Sequence, residues 1–182
     1  MHKRLLLLIP LLLVLSPAAR AQNNAAPHIG KVDVRFDEAS LTPGAYHLTG
    51  HVVMTSDDYD LTAEDVKIVS SPASNTKKAA SSIRQATATG TPAKQVVAHI
   101  RRPLESETYE IYADRAVYQP DSSRPAGGSL TFTGNVKEVI KSGFFAEPSI
   151  GTFDHATVLL GPGRDYPQVQ TGAGHITLTP AQ

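Results

Sequence analysis

His47 and His51 stand four residues apart, the spacing that lays two imidazoles over one metal ion when the segment is helical. Their neighbours exclude the helix. Leu48, Gly50, Val52 and Met54 alternate with His47, Thr49, His51 and Thr55, a period of 2 that belongs to a strand. At about 3.3 Å per residue the two rings then lie about 13 Å apart, too far to share an ion. His28, His99, His155 and His175 are isolated and read as surface or core histidines. Asp57, Asp58, Asp60 and Glu64 form an acidic cluster that lacks the glycine and the terminal acid of a calcium loop, so a solvated hairpin tip is expected. Gly172-Ala173-Gly174 opens a strand and cradles no phosphate. There is no G-x-S-x-G elbow, and with no cysteine there is no thiol nucleophile, thiolate metal site or disulfide. No pair of acids is singled out for acid–base work. The expectation is a protein that is not an enzyme, with no metal and no cofactor.

The N-terminus carries an address. His2, Lys3 and Arg4 are followed by an apolar run from Leu5 to Leu15 and then by Ala19-Arg20-Ala21, the small-residue pattern of signal-peptidase cleavage. The run is shorter than the roughly 18–20 residues that cross a bilayer. Residues 1–21 are therefore expected to be a cleavable signal peptide and 22–30 a flexible leader. A single β domain is expected over 31–182. The segment removed carries Lys3, Arg4 and Arg20, so the exported chain keeps 14 basic against 17 acidic side chains, a net charge of −3. That balance leaves no basic footprint for nucleic acid.

Beyond the signal, no window keeps a helical apolar pattern. Leu130, Phe132, Gly134 and Val136 repeat the alternation seen at Leu48 to Met54. Turn-rich stretches separate the strands at Thr42-Pro43-Gly44, Ser70 to Ser82, Gln119 to Ser129 and Gly161-Pro162-Gly163. The dipeptide Thr-Gly occurs four times, at Thr49, Thr89, Thr133 and Thr171, where 16 threonines and 13 glycines predict about one by chance. A second element alternates with it, beginning at Phe36-Asp37, Ala63-Glu64, Ala113-Asp114 and Phe153-Asp154. Its first and fourth residues are out of phase for a flat strand, which is what a bulge or corner requires. The glycine inside each Thr-Gly strand marks a bend or a close backbone approach.

These motifs resemble the OstA-like domain of lipopolysaccharide-transport proteins. Leu48-Thr-Gly-His-Val52 and Phe132-Thr-Gly-Asn-Val136 look like that family's T-G-N-V step; Leu61 to Ile68 and Ile111 to Tyr118 look like its A-D strand. The resemblance covers Lys31 to Pro180. The Thr89-Gly90 copy departs from it, continuing as Thr91-Pro92-Ala93. The resemblance implies an all-β, open β-jelly roll, taco-like, with acyl chains held inside and no catalysis. It implies a periplasmic protein that binds lipopolysaccharide through its lipid A acyl chains and pairs edge to edge with homologous domains of the inner- and outer-membrane components. A head-to-tail homo-oligomer is part of the same expectation.

On that reading the lipid-binding lining is Leu48, Val52, Met54, Leu61, Val66, Ile68, Ile111, Leu130, Phe132, Val136, Phe153 and Val158. Alternation serves a dry core equally well, so an exported structural or adhesive β-repeat protein is the competing expectation. A glycan hydrolase on a β scaffold is a further rival. Lys77, Lys78, Arg84, Arg101 and Arg102 are candidates for sugar or phosphate contact, against a solvated face.

Overall fold

The computed structural model describes residues 32–71, 83–102, 107–121, 127–161 and 167–180. The signal peptide and leader expected over 1–30 lie outside the described residues, as do Lys77 and Lys78. Every regular element described is a strand: β1 (Asp33–Arg35), β2 (Glu38–Thr42), β3 (Ala45–Thr55), β4 (Tyr59–Ser70), β5 (Ile83–Thr89), β6 (Val96–Arg102), β7 (Glu107–Ala113), β8 (Arg115–Pro120), β9 (Gly128–Lys141), β10 (Ser149–Leu160), β11 (Gln168–Thr171) and β12 (Gly174–Thr177). The Pro43-Gly44 turn joins β2 to β3, with Gly44 at φ 79°, the left-handed position a type II turn asks for.

All pairings are antiparallel, and spatial order follows chain order. The long strands β3, β4, β9 and β10 each run through a corner, and the short ones occur as collinear pairs split at it. One side of the corner therefore reads β2-β3-β4-β5-β8-β9-β10-β11, and the other β1-β3-β4-β6-β7-β9-β10-β12. These are two leaves of one folded sheet, hinged along a seam, and the outermost strands do not pair with each other to close a barrel.

Register explains which residues point inward. On the first leaf Leu48, Val66, Ala88, Ala116, Phe132 and Ala156 are cross-strand partners in a single row. On the second, Met54, Leu61, Ala98, Ile111, Glu138 and Gly151 form another. The apolar members of these rows join one hydrophobic core. Fully burying a side chain such as Phe132 contributes roughly 1.5–3 kcal/mol.

The two sequence repeats meet at the seam. Between Thr49 and Val52 two residues, Gly50 and His51, oppose the single Glu64 on β4. Between Thr133 and Val136, Gly134 and Asn135 likewise oppose the single Asp154 on β10. Both pairs are bulges with two consecutive positive φ values, 73° and 44° at Gly50-His51, 78° and 49° at Gly134-Asn135. The extra residue lets the Thr-Gly strand keep its inward phase through the corner, while the acid-bearing strand changes phase. That is why Ala63 and Val66, or Ala113 and Ala116, are all buried although three apart. The other two copies do not bulge but end a strand: Thr89-Gly90 leads into the loop before β6, and Thr171-Gly172 into β12. The departure at Thr91-Pro92 is thus a break in the strand.

Aspartates stitch the seam. The Asp114 N–H donates to Gly134 O at 2.8 Å, and its carbonyl accepts from Gly90 N–H at 2.9 Å. Its carboxylate accepts from Asn135 Nδ2 at 2.7 Å and Gln95 Nε2 at 3.2 Å. Asp37 repeats the arrangement, donating its N–H to Gly50 O at 3.0 Å and bonding His51 Nδ1 at 2.9 Å.

Candidate functional site

The inner face between the two leaves is the candidate site. Leu48, Val52, Leu61, Val66, Ile111, Leu130, Phe132, Val136 and Val158 are buried in its core, and Met54, Ile68 and Phe153 are half-buried against it. All twelve residues proposed as lining therefore share one interior. Only Met54, Leu61, Val66 and Leu130 among them border the cavity between the leaves; its other walls are Tyr59, Ala86, Ala88, Ala116, Tyr118 and Leu160. The cavity holds about 30 Å³, room for water and none for an acyl chain.

Sequence reasoning passed over those other walls. The signal for Ala86 and Ala88 was the alternation Ala86-Thr87-Ala88-Thr89, in which alanine is too weakly apolar to stand out. Alanines on β5 and β8 make the middle of the first leaf a thin wall. Tyr59 and Tyr118 flank the mouth from opposite leaves. Burial pushes the Tyr59 phenol up to about 12, with the nearby Tyr118 phenol adding to it, and burial also raises Tyr118.

Glu138 was likewise passed over. It continues the inward phase of Val136 on β9 and stands between Ile111 and Gly151. It is 1 % exposed, as is Ser149. Burial pushes the Glu138 carboxyl up to about 7.

The cationic candidates are engaged elsewhere. Arg101 donates to Asp60 at 2.5 Å and to the Ser56 and Asp57 carbonyls, closing the β3–β4 turn, and its guanidinium holds the Asp60 carboxyl below the usual range. Arg102 pairs with Glu107 at 3.2 Å. Arg84 is exposed on β5. His47 bonds Asp65 and His51 bonds Asp37, so the two histidines serve different partners. Among the described residues no group of three or more His, Cys, Asp or Glu is placed to hold a metal ion.

The leaves end in strands whose outer sides pair with no described strand: β1 and β2 at one end, β11 and β12 at the other. β2 is exposed throughout, with Leu41 68 % exposed. Such edges are templates for strand addition.

No protein-family model matches the chain, and no curated protein matches it in sequence. Among solved structures, it is similar to the crystal structure of LptH, the LptA homologous periplasmic component of the conserved lipopolysaccharide transport device from Pseudomonas aeruginosa. The TM-score is 0.54 over 86 % of this chain and 99 % of that one, at 13 % sequence identity. The chain has an open, antiparallel, all-β fold of the LptA type.

Proposed function

We propose that this protein is a periplasmic lipopolysaccharide-binding transport protein that helps bridge the inner and outer membranes by holding acyl chains between its two leaves. The observation that carries the reading is the folded, unclosed sheet with a continuous apolar interior, a fold shared with a periplasmic component of a lipopolysaccharide transport device. Acyl chains enter by the hydrophobic effect, about 0.8 kcal/mol for each CH₂ buried. Because the closed interior is nearly filled, entry parts the margins at Tyr59 and Tyr118, and the seam acts as the hinge. The twelve lining residues then exchange contacts with each other for contacts with lipid. The free edges pair with homologous domains of the inner- and outer-membrane components, or head to tail with a second copy. A head-to-tail contact leaves another edge open and so extends into a chain.

The small cavity favours a second reading, an exported structural or adhesive β-repeat protein with a dry core. Binding decides between them. Purified protein titrated with lipopolysaccharide should bind with mid-micromolar affinity or better, and absence of binding would sink the transport reading. Ala88 sits between Val66 and Ala116 and borders the cavity. Ala88→Phe should weaken lipopolysaccharide binding at least about tenfold while costing only about 1–3 kcal/mol of stability. Calorimetric melting and the same titration read the two effects separately.

A further inference from the structure

Among the described residues, the buried polar side chains are Glu138 and Ser149, and both are incomplete. Glu138 Oε1 and Ser149 Oγ have no hydrogen-bond partner. Orphaned polar atoms inside an apolar core cost about 1–3 kcal/mol each, so their presence asks for a function. Glu138 faces Gly151 and Ser149 faces Ile140, which makes Glu138 and Ser149 diagonal neighbours on one inner face. The Cα atoms of diagonal neighbours lie about 7–8 Å apart, near enough for one bound group to reach both side chains. The row through Glu138 also carries Leu61 of the cavity wall, three strands or about 14 Å away.

We infer that Glu138 and Ser149 form a polar subsite within the groove that receives the hydroxyl group of a hydroxylated acyl chain. The inference rests on the lipid-binding reading proposed above. Apolar surroundings mean that the polar group must arrive on a hydrocarbon chain. A hydroxyl both donates and accepts, so it can donate to Glu138 Oε1 and accept from Ser149 Oγ–H. An ammonium only donates and leaves the Ser149 proton unused. A plain acyl chain satisfies neither atom. The Phe153 ring lies over Gly151 opposite Glu138, 2.5 Å from where a Cβ would stand, so a chain reaches the subsite by displacing that ring as the leaves part.

The test is competition binding with fatty acids of equal length, plain or carrying one hydroxyl at successive positions, on the full chain and on Glu138→Leu and Ser149→Ala. The intact protein should prefer one positional isomer about tenfold over the plain acid, the ratio expected of a well-made buried hydrogen bond. Both variants should lose the preference and keep the affinity for the plain acid. Equal affinity for plain and hydroxylated chains in the intact protein overturns the subsite while leaving the groove standing, and a bridging water would give that result. If no fatty acid binds the intact protein, the groove reading fails and the subsite with it.

Discussion

Gly134→Ala should destabilise the protein by about 2–4 kcal/mol, lowering the melting temperature by roughly 5–15 °C, while Gly143→Ala should stay within about 0.5 kcal/mol. Gly134 lies at φ 78°, where a side chain strains the backbone, and an added Cβ would stand 2.7 Å from Asp114 Oδ2 and 3.0 Å from its Cβ. Asp114 has little room to yield. Its backbone bonds Gly134 and Gly90, and its carboxylate is held by Asn135 and Gln95. Gly143, between β9 and β10, has no heavy atom within 4 Å of such a Cβ. Thermal melts of the two variants beside the parent chain are sufficient. Equal melting temperatures would show that the bulge at Gly134-Asn135 does not hold the seam.

Raising the pH from about 5 to 8 should remove about 3 kcal/mol of stability, and Glu138→Gln should abolish most of that dependence. Burial raises the Glu138 carboxyl from 4.5 to about 7, with no charged neighbour contributing. The flanking positions on β7 and β10 are Ile111 and Gly151, neither of which carries charge. The folded protein therefore holds this proton more tightly than the unfolded chain does. Its contribution is complete below pH 4.5, declines as pH rises toward about 7, and is gone above it. Asp60 and Glu110 act in the opposite sense. Arg101 lowers the first and Lys141 with Tyr112 the second, so their stabilisation is lost as pH falls into the acid range. The windows are separate, and a stability maximum between them is expected. Urea unfolding across pH 3 to 9 reads all three; a flat profile above pH 5 would contradict a buried Glu138.

Much of this was legible in the chain. Alternation at period 2 through Leu48 to Met54 and Leu130 to Val136 fixes strands with one buried face, because a strand's side chains have no other periodicity available. The order of Thr-Gly and acid elements already encoded the seam, since an up-and-down sheet places consecutive strands side by side and turns a repeat along the chain into a line across the sheet. The out-of-phase spacing of Ala63 and Val66 announced a corner. What the spacing could not say is which strand carries the extra residue, because a bulge is a relation between two strands, visible only in their register.

The site was less legible, for a physical reason. Glu138 occupies an inward position by phase, yet charge alone argues for solvent, and only its burial between Ile111 and Gly151 in the folded sheet shows that water is kept out. Ala86 becomes a cavity wall because register aligns it with Tyr118 and Leu130, and Ala88 and Ala116 because register sets them in the row of Val66 and Phe132, not because of their own hydrophobicity. Arg101 looked available for a ligand until the fold brought Asp60 to it from 41 residues away. Local pattern by itself determined that this protein is built of strands with one apolar face and a repeated corner. The volume left between the leaves, the partners of each charge and the two unpaired atoms in the core were decided only by tertiary structure, because each depends on residues that meet in space from different strands.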